Sequence, residues 1–283
     1  MKKIGIITDS TSDLTKEMYS QYNIEVLPLY IILDGKTYED GIDITTEEIY
    51  AKVDECGQLP KSSNVPPAMF EKYFSEYLKK YDQIFYIGIG SLFSATYQNA
   101  KIAAESFEEG KIFVADSKNL SSGIGLLLLK ACKFRDEGCE AGEILRKVEE
   151  LVPYVRTQFA INTLKYLHMG GRCSGVSRIF GTMLKLKPII RVVDGSMVVA
   201  KKPIGYNRAL NALLEYAKAD LPKMDLDHVF ITHAVAKSDE AYLREELSKC
   251  IDNSVILETF ASGVVATHCG PRTIGILYIV KPE

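Results

Sequence analysis

From Lys3 to Val155, short runs rich in Ile and Val alternate with stretches of helical periodicity, which restricts the chain to β/α architectures more than any other feature does. Lys3–Thr8 reads as a strand, Thr15–Tyr22 as a helix, and Glu25–Leu33 as a strand closed by an Asp34-Gly35 turn. Thr45-Thr46-Glu47-Glu48 has capping-box spacing, in which a hydroxyl and a carboxylate satisfy the free N–H groups opening a helix that ends near Gly57. Leu59–Pro66 is expected to be loop. Pro67 suits the first position of the next helix, which runs to Tyr81, because its missing N–H would be unpaired there anyway. Gln83–Gly88 follows as a strand, Ser94–Phe107 as a helix, Lys111–Ala115 as a strand, and Gly123–Glu137 and Ala141–Val155 as helices. Such βαβ units predict a mostly parallel sheet flanked by helices.

After Val155 the alternation gives way to Gln158–Asn162, a loop and an Asp194-Gly195 hairpin. The expected strands are Thr157–Ile161, Pro188–Val193, Met197–Lys202, His228–His233, Val255–Thr259 and Thr273–Val280, with helices near Ser177–Leu184, Tyr206–Ala219 and Asp239–Cys250. The fold class expected is therefore α/β in two α/β domains: residues 1–155 around the mostly parallel sheet, and residues 156–283 around a mixed sheet with helices.

Composition excludes several function classes. Lys and Arg number 34 against 37 Asp and Glu, a net charge of −3, so nothing recommends the whole chain as a nucleic-acid binder. The six Cys form no C-x-x-C pair and no Cys/His cluster at zinc-site spacing, which argues against a metal or redox motif and fits reduced thiols in a cytoplasmic protein. Ile4–Thr8 meets Asp9 before a signal-peptide core is complete, and no apolar run approaches the roughly 18 residues of a membrane span, so stable membrane insertion is not expected.

Four clusters carry the polar chemistry. Asp9-Ser10-Thr11-Ser12-Asp13 stands at the carboxyl end of the first strand, where open α/β sheets place ligands, although these are also the residues that cap helices. Ser62-Ser63-Asn64 puts two hydroxyls and an amide beside Pro66-Pro67. Gly90-Ser91-Leu92-Phe93-Ser94-Ala95-Thr96-Tyr97 lies between a strand and a helix, where free N–H groups attract an anion such as a carboxylate. Thr267-His268-Cys269-Gly270-Pro271 precedes the last strand. His268 and Cys269 suggest a nucleophile and its base, but neighbours on a strand point to opposite faces, and the run Gly88-Ile89-Gly90-Ser91-Leu92 lacks the last glycine of a G-x-S-x-G elbow. An apolar set including Phe93, Ile124, Leu126, Leu127, Leu128, Leu129, Phe159, Phe180, Met183 and Leu184 reads by default as core. Gly170-Gly171-Arg172 opens a loop that presents Arg172 outward to a partner or phosphate, with Lys185, Lys187, Lys201, Lys202 and Arg208 following.

Together these residues resemble the DegV family of bacterial fatty-acid-binding proteins over the whole chain. Asp9-Ser10-Thr11-Ser12-Asp13-Leu14 matches D-S-T-S-D-L, Ser62–Pro67 stands where the family has T-S-Q-P-S-P, and Ser91–Gln98 stands for S-G-L-S-G-T-Y-Q. Gly170-Gly171-Arg172 with Lys187-Pro188 matches G-G-R and K-P, and His268-Cys269-Gly270-Pro271 matches H-T-G-P. Val65, Pro66, Ala95 and Arg272 depart from the pattern. The resemblance implies two domains enclosing one long-chain fatty acid, its tail in the first domain and its carboxylate near the junction, with no cofactor. It further implies a carrier that presents the carboxylate to a separate ATP-dependent fatty acid kinase, which makes acyl phosphate for phospholipid synthesis. Carried over by position, Ser62, Ser94 and His268 bind the carboxylate, with Ser63 and Thr96 beside them. Phe93, Ile124, Leu127, Leu128 and Phe159 line the acyl pocket, and Arg172 and Lys202 belong to the kinase-docking surface. Two other readings stand beside the carrier: a Ser/Cys–His hydrolase or acyltransferase acting on acyl substrates, and a partner-binding or regulatory module.

Overall fold

The computed structural model describes residues 2–174 and 185–282, so the expected helix near Ser177–Leu184, with Phe180, Met183 and Leu184, lies outside the described residues. The first half of the chain builds two sheets. The larger is parallel throughout, with strands β1 (Ile4–Asp9), β2 (Ile24–Leu27), β6 (Gln83–Gly88) and β7 (Ile112–Asp116) in the order β2-β1-β6-β7. The smaller is antiparallel, with β3 (Tyr30–Leu33), β4 (Lys36–Glu39) and β5 (Lys61–Ser63) in the order β4-β3-β5. Helices α1 (Lys16–Gln21), α2 (Thr46–Cys56), α3 (Pro67–Tyr77), α4 (Thr96–Ala104), α5 (Ser122–Asp136) and α6 (Ala141–Leu151) connect and cover them.

From Val155 onward the strands enter a third, mixed sheet in the order β13-β12-β14-β8-β10-β11-β9. Its members are β8 (Val155–Ala160), β9 (Cys173–Ser174), β10 (Ile189–Val193), β11 (Ser196–Lys201), β12 (Val229–Ala234), β13 (Ile256–Phe260) and β14 (Thr273–Ile279). Only the β12–β13 and β11–β9 pairs are parallel. Helices α7 (Leu164–Gly170), α8 (Tyr206–Asp220), α9 (Lys237–Ser248) and α10 (Gly263–Cys269) belong to this half.

Local chemistry accounts for most boundaries. The Thr45 capping box forms as the spacing predicts: Thr45 N–H donates to Glu48 Oε2 at 2.8 Å and Glu48 N–H to Thr45 Oγ1 at 3.3 Å. Pro67 occupies the first turn of α3, and Asp194-Gly195 turns β10 into β11. Three expectations need correction. Glu25–Leu33 is two strands, because Pro28 interrupts the ladder and sends the chain from the parallel sheet into the small one. Residues 61–63 of the expected Leu59–Pro66 loop form β5. His268 and Cys269 are not neighbours on a strand: they end the helix α10, residues 263–269.

Helix α5 joins the two halves. It packs on β1 and β6 of the parallel sheet and on β8 and β14 of the mixed one, so nearly its whole circumference is apolar and Ile124, Leu127 and Leu128 are fully buried. A helix hydrophobic on all sides belongs in a core.

Candidate functional site

A cavity of about 520 Å³ lies between the carboxyl ends of the parallel strands and one face of the mixed sheet. On the first side it meets Thr11, just past β1, and Ile89, just past β6. These two strands flank the point where the strand order reverses, the usual crevice in an open α/β sheet. On the other side the wall is built from strand residues in register. Phe159, Gly275 and Thr232 form one row across β8, β14 and β12, with Thr157 and Leu277 in the next.

Hydroxyls are numerous along the inner wall, but their hydrogens are committed to the protein. Thr157 Oγ1 donates to Asn119 Oδ1 at 2.7 Å, Thr273 Oγ1 to Cys269 O at 2.9 Å, and Thr11 and Ser121 to the carboxylates of Asp9 and Asp13. Thr232 is tied at 2.9 Å to Ser122 and at 2.7 Å to Thr259. A threonine whose hydroxyl is so engaged offers a methyl group to a ligand. With Ile89, Phe93, Leu120, Phe159, Val264 and Leu277 alongside, the inner cavity is apolar in effect.

The outer end is different. It reaches the surface at the exposed residues Ser63, Ser91, Leu92 and Arg172, and Ser62, Ser94 and His268 lie there half-buried. His268 sits in the last turn of α10, and its Nε2 is 2.7 Å from Ser62 Oγ on β5. Burial, and secondarily the charge of Arg172, push the imidazole down to about 4, so the ring is neutral at physiological pH. Its Nδ1 is buried with no hydrogen-bond partner among the described residues. It faces Gly170, where a Cβ would stand only 2.5 Å away. A neutral ring that carries its proton on Nε2 donates to Ser62 Oγ and leaves the Ser62 O–H free for a ligand. Ser94 Oγ accepts from Thr96 N–H at 3.2 Å and lies 2.9 Å from Thr96 Oγ1, which fixes it at the start of α4. Arg172 Nη1 donates to Gly170 O at 2.6 Å, which holds the guanidinium at the rim.

A family model described as "Uncharacterised protein, DegV family" matches residues 3–281. The chain belongs to the DegV family. It is 34% identical over 285 residues to a DegV domain-containing protein of Caldanaerobacter subterraneus subsp. tengcongensis, a match covering 99% of this chain and 100% of that one. It is 28% identical to the protein DegV of Bacillus subtilis, covering 98% of this chain and 99% of that one. Among solved structures it is similar to a DegV family protein from Thermus thermophilus described by its fatty acid binding, at TM-score 0.91 and 30% identity over 98% of this chain and 99% of that one. It is also similar to a stearic acid-binding protein from Eubacterium ventriosum, at TM-score 0.86 and 26% identity over 99% of both chains.

In this DegV-family chain Ser62, Ser63, Ser94, Phe93, Phe159, Arg172 and His268 all border the one cavity. Thr96 is wholly buried and supports Ser94 without lining the wall. Lys202 is exposed just after β11, away from the cavity. Ile124, Leu127 and Leu128 do not line it: they pack in the core around α5 with Ile6 and Phe85, which reaches the cavity through Leu277, so their assignment to the acyl pocket is corrected. Nor is the cavity confined to the first half of the chain, since β8, β12 and β14 supply much of its wall. Sequence reasoning missed Thr157, Thr232, Gly275 and Leu277. Their signal was the period of two within strands it had located, which puts Thr157 with Phe159, and Gly275 with Leu277, on a shared face.

Two further residues are placed by the structure. Arg272 takes no part in the cavity: it pairs with Asp239 through two bonds of 2.8 and 2.9 Å, over the ring of Tyr206. Cys269 is buried with its thiol pushed up to about 12 by burial, which suppresses the thiolate a nucleophile needs.

Proposed function

We propose that this chain carries one long-chain fatty acid, with the carboxylate at Ser62, Ser94 and His268 and the acyl chain along the Phe159–Gly275–Thr232 face. The single observation that carries the reading is the polarity of the cavity: free hydroxyl chemistry at its outer end and turned-away hydroxyls within. The fatty acid binding described for the Thermus and Eubacterium relatives supports the same ligand class. Burying some 15 methylenes at about 0.8 kcal/mol each is worth on the order of 12 kcal/mol before the costs of association. The tail then supplies affinity, and the head requires only orientation.

Neutral donors suit a carrier. Ser62 and Ser94 hydroxyls hold the carboxylate without a buried cation, so its oxygen stays available to an incoming electrophile. The residues on which Ser63 and Arg172 stand open to solvent, where an ATP-dependent fatty acid kinase reaches the carboxylate to form acyl phosphate for phospholipid synthesis. Arg172 and Lys202 are the cations of that docking face. The same reading treats residues 1–155 and 156–283 as two domains closing on one ligand in a cytoplasmic protein. Among the described residues no helix is long and apolar enough to cross a membrane.

The 2.7 Å Ser62–His268 contact also fits a nucleophile with its base, and so favours a hydrolase as the second reading. Against it, the imidazole is pushed down to about 4, and among the described residues its Nδ1 has no carboxylate to orient it. Lipid extraction and mass spectrometry of the purified protein test the carrier: one equivalent of fatty acid is expected. Absence of any lipid, together with no binding of added palmitate or oleate, refutes it. Stoichiometric labelling of Ser62 by a fluorophosphonate would establish the hydrolase instead.

A further inference from the structure

The Asp9–Asp13 segment contributes only Thr11 to the cavity wall, yet with Asp40 it buries three carboxylates, two of which, Asp13 and Asp40, meet the start of α10. Asp13 Oδ1 accepts from Ser262 N–H at 2.9 Å, and Asp40 Oδ1 from Gly263 N–H at 2.8 Å. Asp40 Oδ2 accepts from Val264 N–H at 3.3 Å and from Ser10 Oγ–H at 2.7 Å, while the Asp40 N–H is held by Leu29 O at 2.9 Å. The fit is close. A Cβ at Gly263 would come within 2.6 Å of Ile31 Cδ1 and 2.8 Å of Asp40 Oδ1.

At the other end of the same seven-residue helix, His268 meets Ser62. Asp40 directly follows β4, and Ser62 lies on β5. These are the outer strands of the small sheet, and both pair with β3 at Ile31, opposite Tyr38 on one side and Ser62 on the other. One three-stranded sheet therefore grips α10 at its first turn through Asp40 and at its last turn through Ser62. A helix this short has little stability of its own, so its rotation and height are set by such contacts.

Resting on the reading of His268 and Ser62 as head-group residues, we propose that Asp40 is a positioning residue: it holds α10 at the height at which His268 Nε2 reaches Ser62 Oγ. It touches no ligand and acts through the helix.

The test compares Asp40→Ala with Asp40→Asn in the full chain, because the asparagine keeps a carbonyl oxygen for Gly263 N–H. Two readouts are taken well below the melting temperature: long-range proton–nitrogen NMR correlations of the His268 imidazole without ligand, and the dissociation rate of a fluorescent fatty acid. Asp40→Ala is expected to shift the His268 nitrogens and speed dissociation roughly tenfold, the worth of about one hydrogen bond, while Asp40→Asn returns both close to the parent. Asp40→Ala and Ser62→Ala combined should then be less than additive. If Asp40→Ala does not fold, Ser10→Ala, which removes only a hydroxyl from the clasp, is expected to move both readouts the same way by a smaller factor. Unchanged His268 nitrogens in whichever variant folds, or full additivity with Ser62→Ala, overturns the proposal. The imidazole signals report on the unliganded protein, so they decide the role of Asp40 even if no fatty acid binds and the carrier reading fails.

Discussion

Gly170→Ala separates the stability of the protein from the geometry of its head-group site. Gly170 is the last residue of α7 and does not use the left-handed backbone region, so alanine there fits the helix and by itself stabilises it by about 0.5–1 kcal/mol. Its Cβ would stand 2.5 Å from His268 Nδ1, and ordinary contact begins near 3.4 Å, so the imidazole must retreat by about 0.9 Å. It cannot retreat toward Ser62, because the 2.7 Å contact there has no slack. The ring must swing out of line, and the net loss of one hydrogen bond is about 0.5–1.5 kcal/mol. The two effects nearly cancel in stability, and the melting temperature is expected to stay within about 4 °C of the parent. Binding has no such compensation: dissociation of a bound fatty acid should accelerate roughly 3- to 10-fold. Stopped-flow displacement of a fluorescent fatty acid measures the rate, and differential scanning calorimetry the stability. An unchanged dissociation rate would show that His268 does not hold the ligand in the way described.

Burial pushes the Asp13 carboxyl up to about 8 and that of Asp40 up to about 6, against the hydrogen bonds that lower them. An acid whose pKa is raised by folding binds its proton more tightly in the folded state. Its contribution is therefore complete below the ordinary carboxylate range and is lost as pH rises, here through 6 and then 8. The melting temperature should fall from about pH 4 to 8, and Asp13→Asn, which mimics the protonated acid, should flatten the part of that fall above pH 6; an equally steep slope in the variant removes Asp13 as its source. His268 is pushed the other way, to about 4, so its imidazole nitrogens should show no protonation shift by NMR from pH 8 down to 5, and a protonation step in those nitrogens near pH 6.5 would show an imidazolium at the site. Leu128→Ala should cost about 2–5 kcal/mol in denaturant unfolding and leave the masses of copurifying lipid unchanged. A change in those masses would return α5 to the pocket wall.

The parts of the fold legible in the sequence are those set by local rules. Gln83–Gly88 reads as a strand because a short run of Ile, Phe and Tyr ends at glycine, and the Thr45–Glu48 box and Pro67 mark two helix starts through the backbone donors they satisfy or lack. Residues 263–269 escaped that reading for a physical reason. Gly263, two valines and Thr267 are weak helix formers, and the segment is helical because Asp13 and Asp40, far away in the chain, bind the N–H groups of its first turn. A helix held by tertiary contacts leaves no periodic trace in its own residues.

The same distinction divides the site. The motif residues Ser62, Ser94 and His268 stand out because hydroxyls and an imidazole are conspicuous between apolar runs, and the structure does gather them at one cavity. The chain wall was misread because hydrophobicity marks burial and not what a residue is buried against. Leu127 and Leu128 are more apolar than Thr157 and Thr232, yet the leucines face other core side chains while the threonines face the cavity. What qualifies a threonine for an acyl wall is the partner that takes its hydroxyl proton: Asn119 for Thr157, and Ser122 for Thr232. Those partners lie 38 and 110 residues away, so the apolar character of the wall is a property of the fold that no stretch of the sequence carries alone.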